Sequence, residues 1–126
     1  MPNRKVLIIE DNVDIADIYS KFLDLFYTDI DVDHVMGGMD ALDKALSADY
    51  DLIICDIQIP QISGIEFFER LKKESPKSAC KVLFITAGVE RHKNSFLEKN
   101  KCPYIAKPFT KDVFIEKVNA ILNVPA

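Results

Sequence analysis

The chain is poor in the residues that mark disulfide and transition-metal sites. Its three cysteines, Cys55, Cys80 and Cys102, are odd in number and have no C-x-x-C spacing, which argues against a disulfide framework and against a zinc site. The two histidines, His34 and His92, have no metal-ligand spacing to other residues and are interpreted as surface or loop residues. Cys55 directly precedes an acid at the end of an apolar run, so we interpret it as a core thiol.

Long apolar runs and glycine-rich loops are also missing. No stretch approaches the roughly 20 apolar residues that a membrane span needs, and no leader is recognisable, so we expect no membrane insertion and take the cytoplasm as the default location. The pair Gly37-Gly38 lacks the G-x-G-x-x-G or P-loop context of nucleotide phosphate sites and is interpreted as a turn. With 126 residues, 48% of them hydrophobic, and no linker or repeat, the chain is expected to form one domain, residues 1–126.

Charge is unevenly divided along the chain. Residues 1–56 contain 4 Lys and Arg against 13 Asp and Glu, a net charge of −9, and the remainder contains 12 against 7, a net charge of +5. The acidic half argues against direct nucleic-acid binding by this chain. Basic residues of the second half could form a partner surface, although such charges more often only solvate helices.

The most informative segment is the apolar run of residues 52–55, which leads directly into Asp56. A run of this kind, bounded by turn residues, is typical of a strand covered on both faces in a parallel sheet. Ligands of such sheets bind outside the carboxyl ends of the strands. Asp56 is therefore expected at the site of the chemistry, although an acid at this place could also be a helix cap or a loop residue.

A second apolar run, residues 5–9, ends in Glu10 and Asp11. Two neighbouring parallel strands would bring these acids close to Asp56. Three carboxylates at one edge raise one another's pKa and do not stay ionised together at low cost unless a cation is present. The pattern therefore indicates a metal site.

Two later apolar runs add different polar groups to the same edge. Residues 81–85 lead into Thr86, and residues 104–106 lead into Lys107. The edge thus gains a hydroxyl and an ammonium group. Each residue taken singly has an ordinary alternative, a strand-end hydroxyl for Thr86 and a solvated lysine before a turn proline for Lys107.

The ordered set of these residues resembles a response-regulator receiver domain, the phosphoacceptor domain of two-component signalling. The resemblance covers nearly the whole chain, and its motifs are Glu10-Asp11, Asp56-x-x-x-Pro60-x-x-x-Gly64, Thr86-Ala87 and Lys107-Pro108-Phe109, in that order. The resemblance implies that Asp56 is the phosphoacceptor and nucleophile, with Thr86 and Lys107 contacting the phosphoryl oxygens. It also implies a cis bond between Lys107 and Pro108.

The resemblance further implies Mg²⁺ as the cofactor, which suits a site made only of oxygen ligands. Asp11 and Asp56 would be direct ligands and Glu10 would act through water. The third protein ligand would be the backbone carbonyl of Gln58, so the side chain at that position is not fixed by metal binding.

Partners follow from the resemblance as well. The phosphodonor would be a sensor histidine kinase or a phosphotransfer protein, and the target a downstream protein. Thr86 and Tyr104 would transmit phosphorylation to a surface formed by the fourth helix, the fifth strand and the fifth helix. The chain would be a signalling switch without a substrate of its own beyond the phosphodonor. Its last four residues leave no room for an output domain, so a complete chain would signal by docking.

Segments with helical spacing alternate with the strand runs. The first carries Ile15, Ile18, Phe22 and Leu25, the second Ala41, Leu42, Ala45 and Leu46, and the last Phe114, Val118, Ile121 and Leu122. Ser63 and Thr110 are expected to cap helices, and Ser75-Pro76 to end one.

The remaining elements are patterned more weakly. The second strand is placed at about Asp31 to Met36 and the fourth helix near Asn94 to Lys99. The five βα units predict an α/β fold: a doubly wound, five-stranded parallel sheet of order 2-1-3-4-5 in a flavodoxin-like three-layer sandwich.

Three other functions compete with the receiver interpretation. A haloacid-dehalogenase-type phosphatase needs a second Asp two residues after its nucleophile, where this chain has Gln58. A phosphorylation-independent interaction domain usually loses an acid, the threonine or the lysine, all of which are kept here. A flavodoxin-like electron carrier needs a Ser/Thr/Gly-rich phosphate loop after the first strand, and the sequence has no such loop there. Gln58 and Gly88 occupy the positions that influence phosphoryl lifetime in receivers, and they leave that lifetime open.

Overall fold

The computed structural model describes residues 3–87 and 96–123. The strands are β1 (Arg4–Ile9), β2 (Ile30–Val35), β3 (Leu52–Asp56), β4 (Val82–Thr86) and β5 (Tyr104–Ala106). The helices are α1 (Val13–Phe26), α2 (Gly38–Ser47), α3 (Gly64–Glu74), the one-turn α4 (Pro76–Ala79), residues 96–99, here called α5, and α6 (Lys111–Leu122). None of the helices within these ranges combines the length and the apolar character that a membrane crossing requires.

The five strands form one parallel sheet in the order β2-β1-β3-β4-β5. This confirms the predicted fold class and strand order. The central strands β1, β3 and β4 are buried along most of their length, because helices cover both faces of the sheet. Their apolar residues therefore do not alternate with polar ones, as is usual for parallel sheets.

Successive side chains of the central strands point to opposite faces and build two cores. One core joins the sheet to α2 and α3 and contains Leu7, Ile53, Cys55, Phe67 and Phe84. The other joins it to α1 and α6 and contains Ile8, Ile54, Leu83, Leu23 and Phe114. Cys55 is fully buried, which confirms it as a core thiol.

The helices lie where the spacing predicts them, but some apolar residues of that spacing in α1 and α2 do not face the sheet. In α2, Leu46 is 41% exposed. In α1, Ala16, Tyr19 and Leu23 are buried, whereas Ile18 and Leu25 are 47% and 66% exposed. The apolar residues of α1 extend around more of the helix than the sheet covers. The docking angle of the helix therefore selects the buried face, which the helical spacing alone does not identify.

Helix ends were predictable where a local side chain caps them. The Ser63 hydroxyl accepts a hydrogen bond from the Glu66 N–H at 3.1 Å, and Thr110 accepts one from Val113 at 3.2 Å. Pro76 ends α3 as expected but also opens α4, where its fixed φ suits a first helical position.

Some weakly patterned segments differ from expectation. The second strand lies one residue earlier than placed, at Ile30–Val35, and Gly38 opens α2 instead of completing a turn. The predicted fourth helix is seen as residues 96–99, and its first two residues lie outside the described ranges, as do Gly88 and His92.

Candidate functional site

An open cleft of about 330 Å³ lies at the carboxyl ends of the central strands. The β1–β3 register pairs Ile9 with Cys55, so the next residues, Glu10 and Asp56, are neighbours at the sheet edge. The cleft is lined by Glu10, Asp11, Asn12, Ile15, Asp56, Ile57, Gln58, Ala87 and Lys107. Five side chains from four strand ends were predicted at the metal and catalytic site. The four from the ends of β1, β3 and β5 line this cleft together with Gln58, and Thr86 does not.

The two helices that begin beside the cleft are fixed by local contacts. Asn12 caps α1 with its side-chain oxygen and donates its backbone N–H to Glu10 Oε1 at 3.2 Å. At the start of α3, an added Cβ on Gly64 would lie 2.6 Å from the Asp56 carbonyl oxygen. Only glycine allows α3 to begin this close to the end of β3.

Lys107 reaches across the cleft to Asp56. Its Nζ lies 3.2 Å from Asp56 Oδ2, and the Asp56 side chain is only 13% exposed. The Lys107 backbone N–H donates to the Thr86 carbonyl at 2.8 Å, which ties the β5 loop to the end of β4. The Lys107–Pro108 bond is cis, as the family resemblance implied.

Glu10 is the electrostatically unusual group of the cleft. It is 2% exposed, and its pKa is raised to about 8. Burial is the largest cause, followed by a hydrogen bond with Asp56 and by the negative charge of Asp56. When Glu10 is ionised, its buried Oε2 has no hydrogen-bond partner among the residues that the structure describes. An orphaned carboxylate oxygen beside a second carboxylate costs free energy, and either a proton or a cation relieves it.

The chemistry of the cleft fits a hard cation such as Mg²⁺, because the Glu10 and Asp56 side chains supply the carboxylate oxygens that such an ion prefers, directly or through water. Asp11 lines the same cleft with an exposed side chain. Within residues 3–87 and 96–123, no three acidic, histidine or cysteine side chains already surround one point. The carboxyl groups of Glu10 and Asp56 lie close together in the buried part of the cleft, whereas the Asp11 side chain is exposed.

Thr86 and Tyr104, the residues expected to form the switch, lie away from the cleft lining. Thr86 is buried at the end of β4, and Tyr104 is half-buried on β5 opposite Phe84. Because Phe84 and Thr86 are two residues apart on one strand, Thr86 and Tyr104 project toward the same face of the sheet.

Two residues near the cleft, Tyr19 and His34, were not predicted from the sequence. Tyr19 is buried, and its hydroxyl has no hydrogen-bond partner within residues 3–87 and 96–123. Its pKa is raised by burial and then by the charges of Asp56 and Glu10. The signal that was missed is its place on the buried stripe of α1. His34 lies on the surface as expected, but its Nε2 is 2.7 Å from the Glu10 carbonyl oxygen.

Comparison with known sequences gives consistent results. The family described as response regulator receiver domain matches residues 6–119. The response regulator ArlR of Staphylococcus aureus is 34% identical over 120 residues, which cover 94% of this chain and 52% of that protein. The chain thus spans about half the length of the curated relatives it matches.

Solved structures agree with the sequence comparison. The response regulator TrrA of Thermotoga maritima, determined in complex with Mg²⁺ and BeF, has a TM-score of 0.81 and 30% identity, with 94% of this chain and 99% of that one covered. The chemotaxis protein CheY4 of Vibrio cholerae has a TM-score of 0.80 and 26% identity, with 95% and 99% covered. The chain therefore belongs to the family of response regulator receiver domains, the signalling switches of two-component systems.

Proposed function

We propose that Asp56 of this receiver domain accepts a phosphoryl group from the phosphohistidine of a sensor histidine kinase or phosphotransfer protein, in a reaction that requires Mg²⁺. The observation that carries the proposal is the pairing, in one open cleft, of the largely buried Asp56 carboxylate with Lys107 Nζ at 3.2 Å and with the orphaned carboxylate of Glu10. Such a cleft has a nucleophile, a cationic group for the incoming oxygens and ligands for a cation.

The transfer uses groups that are already close together. An Asp56 oxygen attacks phosphorus, the bond from phosphorus to the donor nitrogen breaks, and the donor imidazole leaves with the electron pair. The product is an acyl phosphate on Asp56. Lys107 then moves its ammonium from the carboxylate to the phosphoryl oxygens, and Thr86 exchanges its present contact for one with the same group.

The residues that would hold Mg²⁺ are Asp11, Asp56 and the backbone carbonyl of Gln58, with Glu10 acting through a water molecule. When bound, the ion offsets the repulsion between the carboxylates and an anionic donor. Glu10 has to release its proton for this arrangement, because a protonated carboxyl group does not balance the positive charge. The buried position of Glu10 and the exposed position of Asp11 support the division into water-mediated and direct roles.

Acetyl phosphate labelling tests the phosphoacceptor. We expect the mass of the intact chain to increase by one labile phosphoryl group with Mg²⁺ and not with EDTA, and Asp56→Asn to abolish the increase. Asp51→Asn is the matched control, because Asp51 precedes the same strand at its other end and accepts a hydrogen bond from the Lys5 N–H. Labelling of Asp56→Asn at the wild-type level would refute the assignment.

Mg²⁺ titration of two variants tests the metal ligands. Asp11→Asn should weaken Mg²⁺ binding more than Glu10→Gln does, since a direct ligand loses a full charge at the ion and a water-mediated one loses less. Calorimetry at pH 8 measures both affinities. Equal or reversed losses would mean that the two roles are assigned wrongly.

We further propose that phosphorylation moves Thr86 toward Asp56 and lets Tyr104 turn inward, which changes the surface of β5, α5 and α6 that a downstream protein recognises. Their shared face of the sheet supports this coupling. Shifting such an equilibrium fully takes a preference of about 5 kcal/mol for one state. Titration with beryllofluoride, followed by NMR, tests this coupling. Chemical-shift changes confined to the cleft, with Tyr104 and α6 unchanged, would indicate another output face.

Residues 1–126 act as one receiver unit and turn over no substrate besides the phosphodonor. The acidic first half argues against direct nucleic-acid binding. The three free thiols support a reducing compartment, the cytoplasm.

A further inference from the structure

A second cleft of about 330 Å³ lies at the opposite edge of the sheet, where the chain enters β4 and β5. Two of the three cysteines line it. Cys80 is exposed and Cys102 is 8% exposed, and Lys72 and Lys101 stand on the same lining. Neither thiol has a part in the chemistry of Asp56, which lies at the far ends of these strands.

The backbone holds each cysteine at the end of a short helix. Cys80 follows α4, and its N–H donates to the Pro76 carbonyl at 3.3 Å. After α5, the Cys102 N–H donates to the Leu97 carbonyl at 2.8 Å, and Lys101 adopts a positive φ of 56°. This is the hydrogen-bond pattern with which a helix ends in a left-handed residue, and it fixes the backbone of Cys102 at the cleft.

The sheet brings the two entry loops side by side. Cys80 stands two residues before β4 and Cys102 two residues before β5, and these strands are hydrogen-bonded neighbours. Parallel neighbours lie about 4.8 Å apart. The register sets Phe84 beside Tyr104, so Cys102 comes level with Val82 and Cys80 stands two residues further out. A disulfide, which spans Cα atoms about 4.4–6.8 Å apart, therefore requires the two loops to move toward each other across the cleft.

The charges around the cleft agree with this proximity. The pKa of Cys102 is raised, first by burial; the charge of Lys72 acts to lower it and the charge of Cys80 to raise it. Lys72 is held over the cleft by its Nζ donating to Asn100 Oδ1 at 3.4 Å. The Lys72 ammonium group thus offsets part of the effect of burial on the Cys102 thiol.

We propose that Cys80 and Cys102 are a redox-sensitive thiol pair that forms an intramolecular disulfide with a low-molecular-weight disulfide, such as oxidised glutathione, as the oxidant. The exposed Cys80 thiolate attacks one sulfur of the small disulfide, and a small thiolate leaves. The Cys102 thiolate then attacks the Cys80 sulfur of the mixed disulfide and expels the second small thiolate. Two protein thiols are oxidised, one small disulfide is reduced to two thiols, and the leaving thiolates take up the two protons.

The bond would close a loop that contains β4 and α5. Thr86 lies within this loop, and Tyr104 lies two residues after its end at Cys102. A crosslink there restricts the segments that join the phosphorylation site to β5, so oxidation would act on the response and leave the Asp56 cleft itself in place. This inference concerns a separate site and does not depend on the phosphoacceptor assignment.

Oxidised glutathione added to the native, fully reduced chain tests the proposal by intact mass and by peptide mapping without reduction. Wild type should lose the mass of two hydrogen atoms, with Cys80 and Cys102 in one linked peptide pair, and dithiothreitol should reverse the change. Cys102→Ser should keep one glutathione on Cys80. Cys80→Ser should react about tenfold more slowly, because its remaining cleft thiol is shielded.

The fully buried Cys55 is the internal control, and circular dichroism before and after oxidation verifies that each variant is folded. A glutathione adduct that persists on wild-type Cys80 would overturn the proposal. So would a disulfide that joins two chains through Cys80, or modification that maps to Cys55.

Discussion

The two ends of β1 differ in their charge pairs: like charges lie together at one end and opposite charges at the other. At its carboxyl end, the buried Glu10 faces Asp56, a group of like charge, and the pKa of Glu10 is raised to about 8. At its amino end, Arg4 donates two hydrogen bonds to the Asp29 carboxylate at 3.0 and 3.1 Å and lies over the Tyr27 ring. The Arg4 guanidinium holds the pKa of Asp29 below its usual range.

The difference separates a functional arrangement from a structural one. Opposite charges at an exposed edge stabilise the fold slightly and are screened by salt. Buried like charges destabilise the fold, and they persist where a site has to bind a cation or an anion. The carboxyl end of β1 is therefore the place where substitutions should increase stability and reduce function.

The largest expected effect is that of Glu10→Gln on the pH dependence of stability. The folded chain binds a proton on Glu10 more tightly than the unfolded chain, so wild type should lose stability as the pH rises from about 4.5 to 8. Glu10→Gln should remove this loss and unfold at higher urea concentration at pH 8.5. Because each pKa unit is worth about 1.4 kcal/mol, we expect a gain of about 2–4 kcal/mol without Mg²⁺.

Urea unfolding in EDTA, followed by circular dichroism at pH 5 and pH 8.5, measures this difference. Addition of Mg²⁺ should reduce it, because the ion relieves the same repulsion in wild type. A variant that is no more stable than wild type at pH 8.5 would show that Glu10 is not the strained group.

A smaller effect on stability is expected when the Lys107 ammonium group is removed from the cleft. Lys107→Met leaves the carboxylates of Asp56 and Glu10 without their ammonium neighbour, and should destabilise the chain by about 1 kcal/mol at pH 8.5, since the pair is only partly buried. It should also slow labelling by acetyl phosphate. Lys111→Met, an exposed lysine at the start of α6, is the control and should change neither quantity. Equal effects of the two variants would mean that the contact with Asp56 is unimportant.

The smallest effect is expected at the amino end of β1. Asp29→Asn should lower the urea midpoint slightly at pH 7, and the loss should disappear in 1 M salt. The pKa of Asp29 is lowered in the folded chain, so its contribution is present above pH 4 and is lost as the pH falls through the lowered pKa. The same urea titrations measure it. A salt-independent loss would show that packing against Tyr27, and not charge, holds this end.

Much of the site was predictable because parallel strands place their carboxyl ends at one edge. Asp56, Glu10 and Lys107 each directly follow or end an apolar run, and the register of the sheet brings them together. The sequence also predicted the caps at Ser63 and Thr110, since a cap needs only residues three positions apart.

Helix α2 shows where local reasoning ends. Its first residues have no local side-chain cap, and instead Gln61, at a positive φ of 75° in the loop after β3, accepts hydrogen bonds from the N–H groups of Met39 and Asp40. Nothing in the spacing of residues 37–40 indicates a partner more than twenty positions away.

By itself the sequence determined the order of strands and helices, the acids and the lysine at the strand ends, and the family. Periodicity and strand ends are local properties of the chain, which is why a pattern reveals them. Only the tertiary structure decided that Glu10 carries the raised pKa, that Tyr19 rather than Ile18 is buried, and that Cys80 and Cys102 share a cleft. Burial and distances between residues far apart in the chain set these properties, and no spacing rule contains them.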